Sequence, residues 1–199
     1  MEIIGNKIKL RPFQESDIDD VIHWMLVETE WQNWDAPWED SGDFNPDAYR
    51  KRMLKQLRNH RNPSFYGRLE IDVLETGEHI GSVNSYYIDD NFNYTRGGGN
   101  FTIGIDIIKP ANRRKGYGTE AWLLFVRYAL ESGVEEVYTQ TWAGNYPVLA
   151  LMEQIGFELI NVNKKYRVVK GEEVDGYTFI LNKDKFRKLL AEHEWSFSK

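Results

Sequence analysis

The 199-residue sequence contains no cysteine. That excludes disulfides, thiolate zinc sites, iron–sulfur clusters and a cysteine nucleophile. No apolar run approaches the ~18 residues that a membrane-spanning helix requires, and Met1 to Lys9 lacks the apolar block of a secretory signal. Basic residues are in deficit, 25 against 31 acidic, for a net charge of −6. That balance argues against general nucleic-acid affinity. His23, His60, His79 and His193 have no metal-ligand spacing, so no metal is expected. The serines sit in no nucleophile-elbow pattern. The expectation is a cytoplasmic protein, away from membranes, as a monomer or homodimer. One domain over residues 1–199 suits the length, which is sufficient to bury a core without staples.

Aromatic residues are plentiful: seven Trp, eleven Tyr and ten Phe. Such rings pack cores or line ligand grooves, so their positions must decide. Ile8-Lys9-Leu10-Arg11 alternates and stops at Pro12, a short strand. Ile18, Val21, Ile22 and Met25 have helical spacing behind an N-cap at Ser16 or Asp17. Asn45-Pro46 opens a second helix whose outer face carries Arg50, Lys51, Arg52, Lys55 and Arg58. That basic run reads as a solvated face rather than a nucleic-acid patch. Residues 65–73 and 79–88 alternate on either side of Thr76-Gly77 and predict a hairpin. A flexible connection over 89–99 leads to a strand over 100–108, stopped by Pro110. A helix over 116–132, a strand over 134–141 and a helix over 145–155 follow. Gly156 stands where a left-handed cap belongs. Residues 157–169 and 177–181 predict a closing hairpin, followed by a last helix over 183–192. The order is that of a mixed α/β (α+β) fold in one domain.

The chemistry concentrates in two segments. Arg113-Arg114-Lys115-Gly116-Tyr117-Gly118-Thr119 lies between a strand and a helix. Its glycines allow close backbone approach, and the helix start behind them offers free N–H groups and a positive dipole end, which together suit a pyrophosphate. A tight turn carrying a solvated basic cluster fits the same residues. The second segment runs from Asn145 to Phe157 and follows the strand that ends at Thr141-Trp142.

Arg-x-x-Gly-x-Gly at 113–118, followed by Asn-x-x-x-x-x-Leu-x-x-x-x-Gly-Phe at 145–157, resembles the GNAT superfamily of acetyl-CoA-dependent N-acetyltransferases. Lys7-Ile8-Lys9-Leu10-Arg11-Pro12 and the element order agree. Trp142, Asn145 and the closing strands are most similar to the branch containing ribosomal-protein alanine N-acetyltransferases. The resemblance covers nearly the whole chain. It implies a twisted, mostly antiparallel mixed sheet, splayed at its centre and flanked by helices. It also implies acetyl-CoA as co-substrate and an amine acceptor, either a protein N-terminus or a small molecule. Ile107 and Ile108 would pair with the pantetheine arm through their backbone. Arg113, Arg114, Lys115, Gly116, Tyr117, Gly118 and Thr119 would cradle the pyrophosphate. Asn145 would be a polar contact near the pantetheine. The stretch 104–109 is one residue longer than usual in this family, which suits either a β-bulge or a plain loop extension.

The family often has Tyr at the position of Met152, where a hydroxyl can protonate the leaving thiolate. Met cannot donate a proton, and Met152 fits a core stripe with Val148, Leu151 and Ile155. A primary amine must lose a proton before attack, and a carboxylate is the usual acceptor. Asp106 is the acid within the strand beside the implied cofactor, either as that base or as a surface residue of the strand edge. Trp34, Asp35, Trp38 and Glu39 are the acceptor-site candidates, since rings and acids suit an ammonium. The same residues could pack as a staple under a loop. Without a cysteine, direct attack in a ternary complex is preferred over a covalent intermediate. The alternative function is a non-catalytic acyl-CoA-binding module.

Overall fold

The computed structural model describes residues 1–39, 42, 44–59 and 63–192. His60 and His193 therefore lie outside the described residues. In chain order the elements are β1 (Ile3–Ile4), β2 (Ile8–Arg11), α1 (Asp17–Leu26), α2 (Pro46–Arg58), β3 (Arg68–Val73), β4 (His79–Ile88), β5 (Tyr94–Thr95) and β6 (Asn100–Ile107). Then come α3 (Tyr117–Glu131), β7 (Tyr138–Trp142), α4 (Tyr146–Ile155), β8 (Phe157–Val169), β9 (Glu172–Leu181) and α5 (Lys183–Glu192). They build one mixed sheet in the order β1-β2-β3-β4-β6-β7-β9-β8, with β5 beside β4. Every pairing is antiparallel except β6–β7. No helix of the described chain is long and apolar enough to cross a membrane.

The helices form where spacing and caps direct them. The Asn45 side chain accepts the Ala48 N–H at 2.9 Å ahead of Pro46, and Asn145 caps α4 in the same way. Gly156 ends α4 with φ of 93°, a conformation a side chain would disfavour. Ala121, Trp122, Leu124 and Phe125 of α3 are almost wholly buried and share a core with Ile8, Leu10, Leu69, Ile71 and Ile103 of the sheet. The opposite sheet face is polar. There Arg11, 6% exposed, grips two buried carboxylates: Asp17 of α1 at 2.7 and 2.9 Å, and Asp72 of β3 at 2.6 and 2.8 Å. His79 bridges Asp20 of α1 at 2.9 Å and Glu70 of β3 at 3.0 Å, with Trp24 against its ring. Asp17, Asp20 and His79 thus place possible ligand atoms within 4.8 Å of one another, but Arg11 and Glu70 already engage Asp17 and His79. These ion pairs seat α1 on the sheet.

Four expectations need correction. The β4–β6 ladder runs without a break from Gly81↔Ile107 to Ile88↔Asn100, so 104–107 holds no bulge. Of the two readings of 104–109 the plain extension stands, since 108–109 lie between the strand end at Ile107 and the 3₁₀ turn at Pro110–Asn112. The connection 89–99 is not wholly irregular, because Tyr94–Thr95 pairs back on Tyr87 and Ile88. The strand expected from 134 begins at Tyr138, since Gly133 at φ of 94° and the Val134 N–H to Ala129 C=O bond still belong to the helix end. The final strand starts earlier than 177, at Glu172. Its acids hid the alternation, but Lys164–Asp175 and Lys165–Glu173 pair them across the hairpin at 2.6 and 2.8 Å.

Candidate active site

The parallel β6–β7 contact is brief. Only Thr102↔Tyr138 and Ile103↔Thr139 pair, although β6 continues to Ile107 and β7 to Trp142. The two strands part beyond Ile103 and open a V in the sheet. A cleft of about 1390 Å³ runs through this V. That exceeds the ~300–1,000 Å³ of an ordinary small-ligand pocket and leaves room for two substrates together. The Ile108 N–H donates to the Ile80 C=O at 3.0 Å, which fixes the parity of the ladder. The backbone groups of Ile105 and Ile107 therefore turn away from β4, toward the open V.

At one end of the cleft the 113–119 loop meets the start of α3. Gly116 takes φ of 84°, and a Cβ there would come to 3.3 Å from Lys7 Nζ. Lys7 donates to the Lys115 C=O at 3.0 Å. The buried Glu120 carboxylate, in the first turn of α3, accepts the Lys7 N–H at 2.9 Å and the Asn6 N–H. The loop is thus fastened to the N-terminal strand from below, while the first N–H groups of α3 stay without intrahelical partners. Gly118, Thr119, Arg113 and Arg114 line the cleft. Arg113 is already engaged: its guanidinium donates to the C=O of Ile107 at 3.0 Å and of Ile108 at 2.8 Å, and pairs with Glu30 at 2.6 Å. Burial works against the charge of Glu30, but the contacts from Arg113 and Trp34 outweigh it and hold its pKa below the usual value. Ile108 has its N–H on β4 and its C=O on Arg113.

The other end is walled by rings. A 3₁₀ turn, Thr29–Asn33, leads into the Trp34–Glu39 loop. Trp34 C=O accepts the Trp142 indole N–H and the Asn145 amide, each at 2.8 Å, so the loop is tied to β7 and α4. Asn145 gives one amide hydrogen to the loop in this way, its oxygen faces the Val148 N–H at 3.3 Å, and the residue also lines the cleft. Trp38 meets Trp142 edge-on at 6.4 Å and Tyr166 at 5.7 Å. Tyr166 reaches this wall because β8 carries Lys164, Lys165 and Tyr166 opposite the single residue Asp175, a bulge of three residues against one. A Cβ at Gly176 would lie 2.9 Å from the Tyr166 ring, so glycine makes the space the ring occupies. Arg167 stands 4.1 Å from the Tyr166 ring centre and 5.7 Å from that of Trp38.

Asp106 lies on the polar face of β6, level with Ser82 of β4 and Glu70 of β3, and lines the cleft with Asp35, Glu39 and Tyr86. Enclosure by protein, then the like charge of Asp35, push its pKa up to about 7, against the pull of Arg68 and Arg113. The walls around Asp35 raise its pKa as well, with Glu39 adding to the effect, although the side chain meets solvent in the cleft. Burial and the Asp35 charge keep the Tyr86 phenol protonated far above neutrality. No local sequence pattern marks Tyr86 or Tyr166. Cross-strand register places the first and a bulge the second, and neither signal is local.

Met152 is fully buried in the core beneath α4, outside the cleft. Met152→Leu nearly conserves volume, so denaturant unfolding should register a change below about 1.5 kcal/mol. Turnover should stay at the wild-type level.

Residues 7–158 match the family described as acetyltransferase (GNAT) domain. The N-acetyltransferase 9-like protein of Dictyostelium discoideum is 22% identical over 210 residues, spanning 94% of this chain and 94% of that protein. The ribosomal-protein-S5-alanine acetyltransferase of Vibrio fischeri shares the fold with a TM-score of 0.69 at 16% identity, over 92% of this chain and 98% of its own. Mycobacterium smegmatis RimJ, solved in complex with CoA-disulfide, aligns with a TM-score of 0.66 at 16% identity, over 98% of this chain and 96% of its own.

Proposed function

This chain belongs to the GNAT acetyltransferase family, and on that premise we propose that it transfers an acetyl group from acetyl-CoA to a primary amine by direct attack in a ternary complex. The observation that carries the reading is the placement of Asp106, a carboxylate on the stretch of β6 beyond its pairing with β7 that lines the cleft, where enclosure and the Asp35 charge push its pKa up to about 7. A base is most useful when its pKa lies near the working pH.

The first-turn N–H groups of α3 and Arg114, the loop cation that lines the cleft and is not held by Glu30, suit the pyrophosphate of acetyl-CoA. The open-edge backbone of Ile105 and the Ile107 N–H suit the amide-bearing arm and offer N–H donors to the thioester oxygen, the Ile107 C=O being held by Arg113. Asp106 takes one proton from the acceptor ammonium, and the free amine attacks the thioester carbonyl. The N–C bond forms and the C–S bond breaks. As the adduct collapses its nitrogen gives up the second proton, which water relays to the departing thiolate, and Asp106 returns the first proton to solvent. Asn145 acts here as a brace between the Trp34 loop and α4.

Continuous detection of released CoA against a panel of primary amines tests the reading. Acceptor-dependent release is the expected result, and binding of acetyl-CoA without turnover of any amine would favour a non-catalytic acyl-CoA-binding module. The phosphate end has its own test. A Cβ at Gly118 would meet side-chain carbons at 3.7 Å or more, ordinary contact. Gly118→Ala should therefore fold and bind acetyl-CoA. Gly118→Asp should fold too, since an acid is favourable in a first helical turn, but should lose the thermal stabilisation that acetyl-CoA gives the wild type. An undiminished shift in Gly118→Asp would move the pyrophosphate elsewhere.

A further inference from the structure

The acceptor end of the cleft holds more negative charge than one reacting amine can use. Asp35, Glu39 and Asp106 all line it, and none makes a side-chain hydrogen bond or ion pair among the described residues. The cations lining the same cleft are differently placed. Arg113 is spent on Glu30 and two carbonyls, and Lys165 pairs with Glu173 at 2.8 Å. Arg167 lies over Trp38 and Tyr166, and Arg114 belongs to the phosphate loop. A monoamine that gives its proton to Asp106 arrives at the thioester neutral. It would leave Asp35 and Glu39, whose like charges act on each other, without a counter-ion among the described residues in a wall that also holds Trp34 and Trp38.

Resting on the acetyl-transfer reading, we propose that the acceptor is a small dication: a primary amine whose second ammonium, held protonated throughout, sits between Asp35 and Glu39 against the Trp34 and Trp38 rings. The second charge neutralises the acids that the reacting amine cannot. The indole faces add cation–π attraction to it and exclude water from its methylenes. The Trp34 loop is fastened across the cleft to Trp142 and Asn145, and Trp38 reaches Tyr166 on the far hairpin. This end is therefore walled on both sides and suits a short free molecule rather than a protein chain.

The test compares α,ω-diamines of three to six carbons with n-alkylamines of equal length and with an alanine-initiated peptide, by CoA release. The expected result is a kcat/KM for the best diamine at least tenfold above its matched monoamine. In Asp35→Asn and Glu39→Gln that ratio should fall toward one, while the thermal shift with acetyl-CoA shows that the variants fold and bind cofactor. A wild-type ratio near one, a ratio unmoved by both variants, or a peptide preferred over every diamine would each overturn the proposal. Turnover of monoamines without diamine preference would do so and leave acetyl transfer standing. Failure of all amines would remove both.

Discussion

Asp106→Asn should lower kcat by about 10²–10⁴-fold, the range for loss of a positioned general base. Asn nearly matches Asp in volume and keeps its place on β6, so the KM for acetyl-CoA should stay near the wild-type value. The pH profile separates catalysis from mere packing. A base ionising near 7 makes wild-type kcat/KM rise through that pH as the carboxylate loses its proton. In the Asn variant this limb should vanish, while any limb set by the amine itself remains. Steady-state kinetics from pH 5.5 to 9 would show both effects. A variant within threefold of wild type at every pH would relieve Asp106 of the role.

The second large effect is on stability. Arg11→Met should destabilise the protein by about 3–5 kcal/mol, the cost of breaking a buried ion pair from one side. The guanidinium makes two contacts to each of Asp17 and Asp72, whose residues are 1% and 6% exposed. Without Arg11 both carboxylates are left in a desolvated pocket. In a chain of this size that corresponds to a fall in Tm of roughly 6–20 °C. A triple variant, Arg11→Met with Asp17→Leu and Asp72→Leu, should recover much of the loss, because apolar residues of similar volume often replace a buried ion cluster at little cost. Denaturant unfolding of both variants is the measurement. A loss below about 1 kcal/mol in Arg11→Met would mean that water already shares the cluster.

The parts of the fold readable in the sequence are those that local rules govern. The α1 stripe, the Asn45-Pro46 start of α2 and the Gly156 cap are each decided within a few residues. β1 and β5 have two residues each, too short for any alternation. The start of β9 was obscured because its acids answer lysines on another strand. The site divides in the same way. The 113–119 loop is contiguous and could be found whole. Trp34, Asp35, Trp38 and Glu39 could be marked as a cluster, yet both of their readings survive in part: they line the cleft, and Trp38 also packs on Trp142. The employment of Arg113 by Glu30, and of Asn145 by the Trp34 carbonyl, depends on chain segments more than 80 residues apart meeting in space. Spacing within either segment carries no trace of it.

Among the described residues β8 is the last strand of the sheet, and its outer row of N–H and C=O groups has no strand beside it. Leu159, Ile160, Val162 and Val168 are exposed along its 13 residues. A long edge of that kind is a template for intermolecular strand addition. The ladder with β9 slips between Leu159 and Asn161 and again between Asn163 and Arg167. Each slip interrupts the even spacing that an incoming strand would need, and Lys164 and Lys165 put two positive charges at the second one. A like strand from another copy would bring its own lysines against them. The distortion that swings Tyr166 into the cleft therefore also guards the sheet against edge-to-edge aggregation.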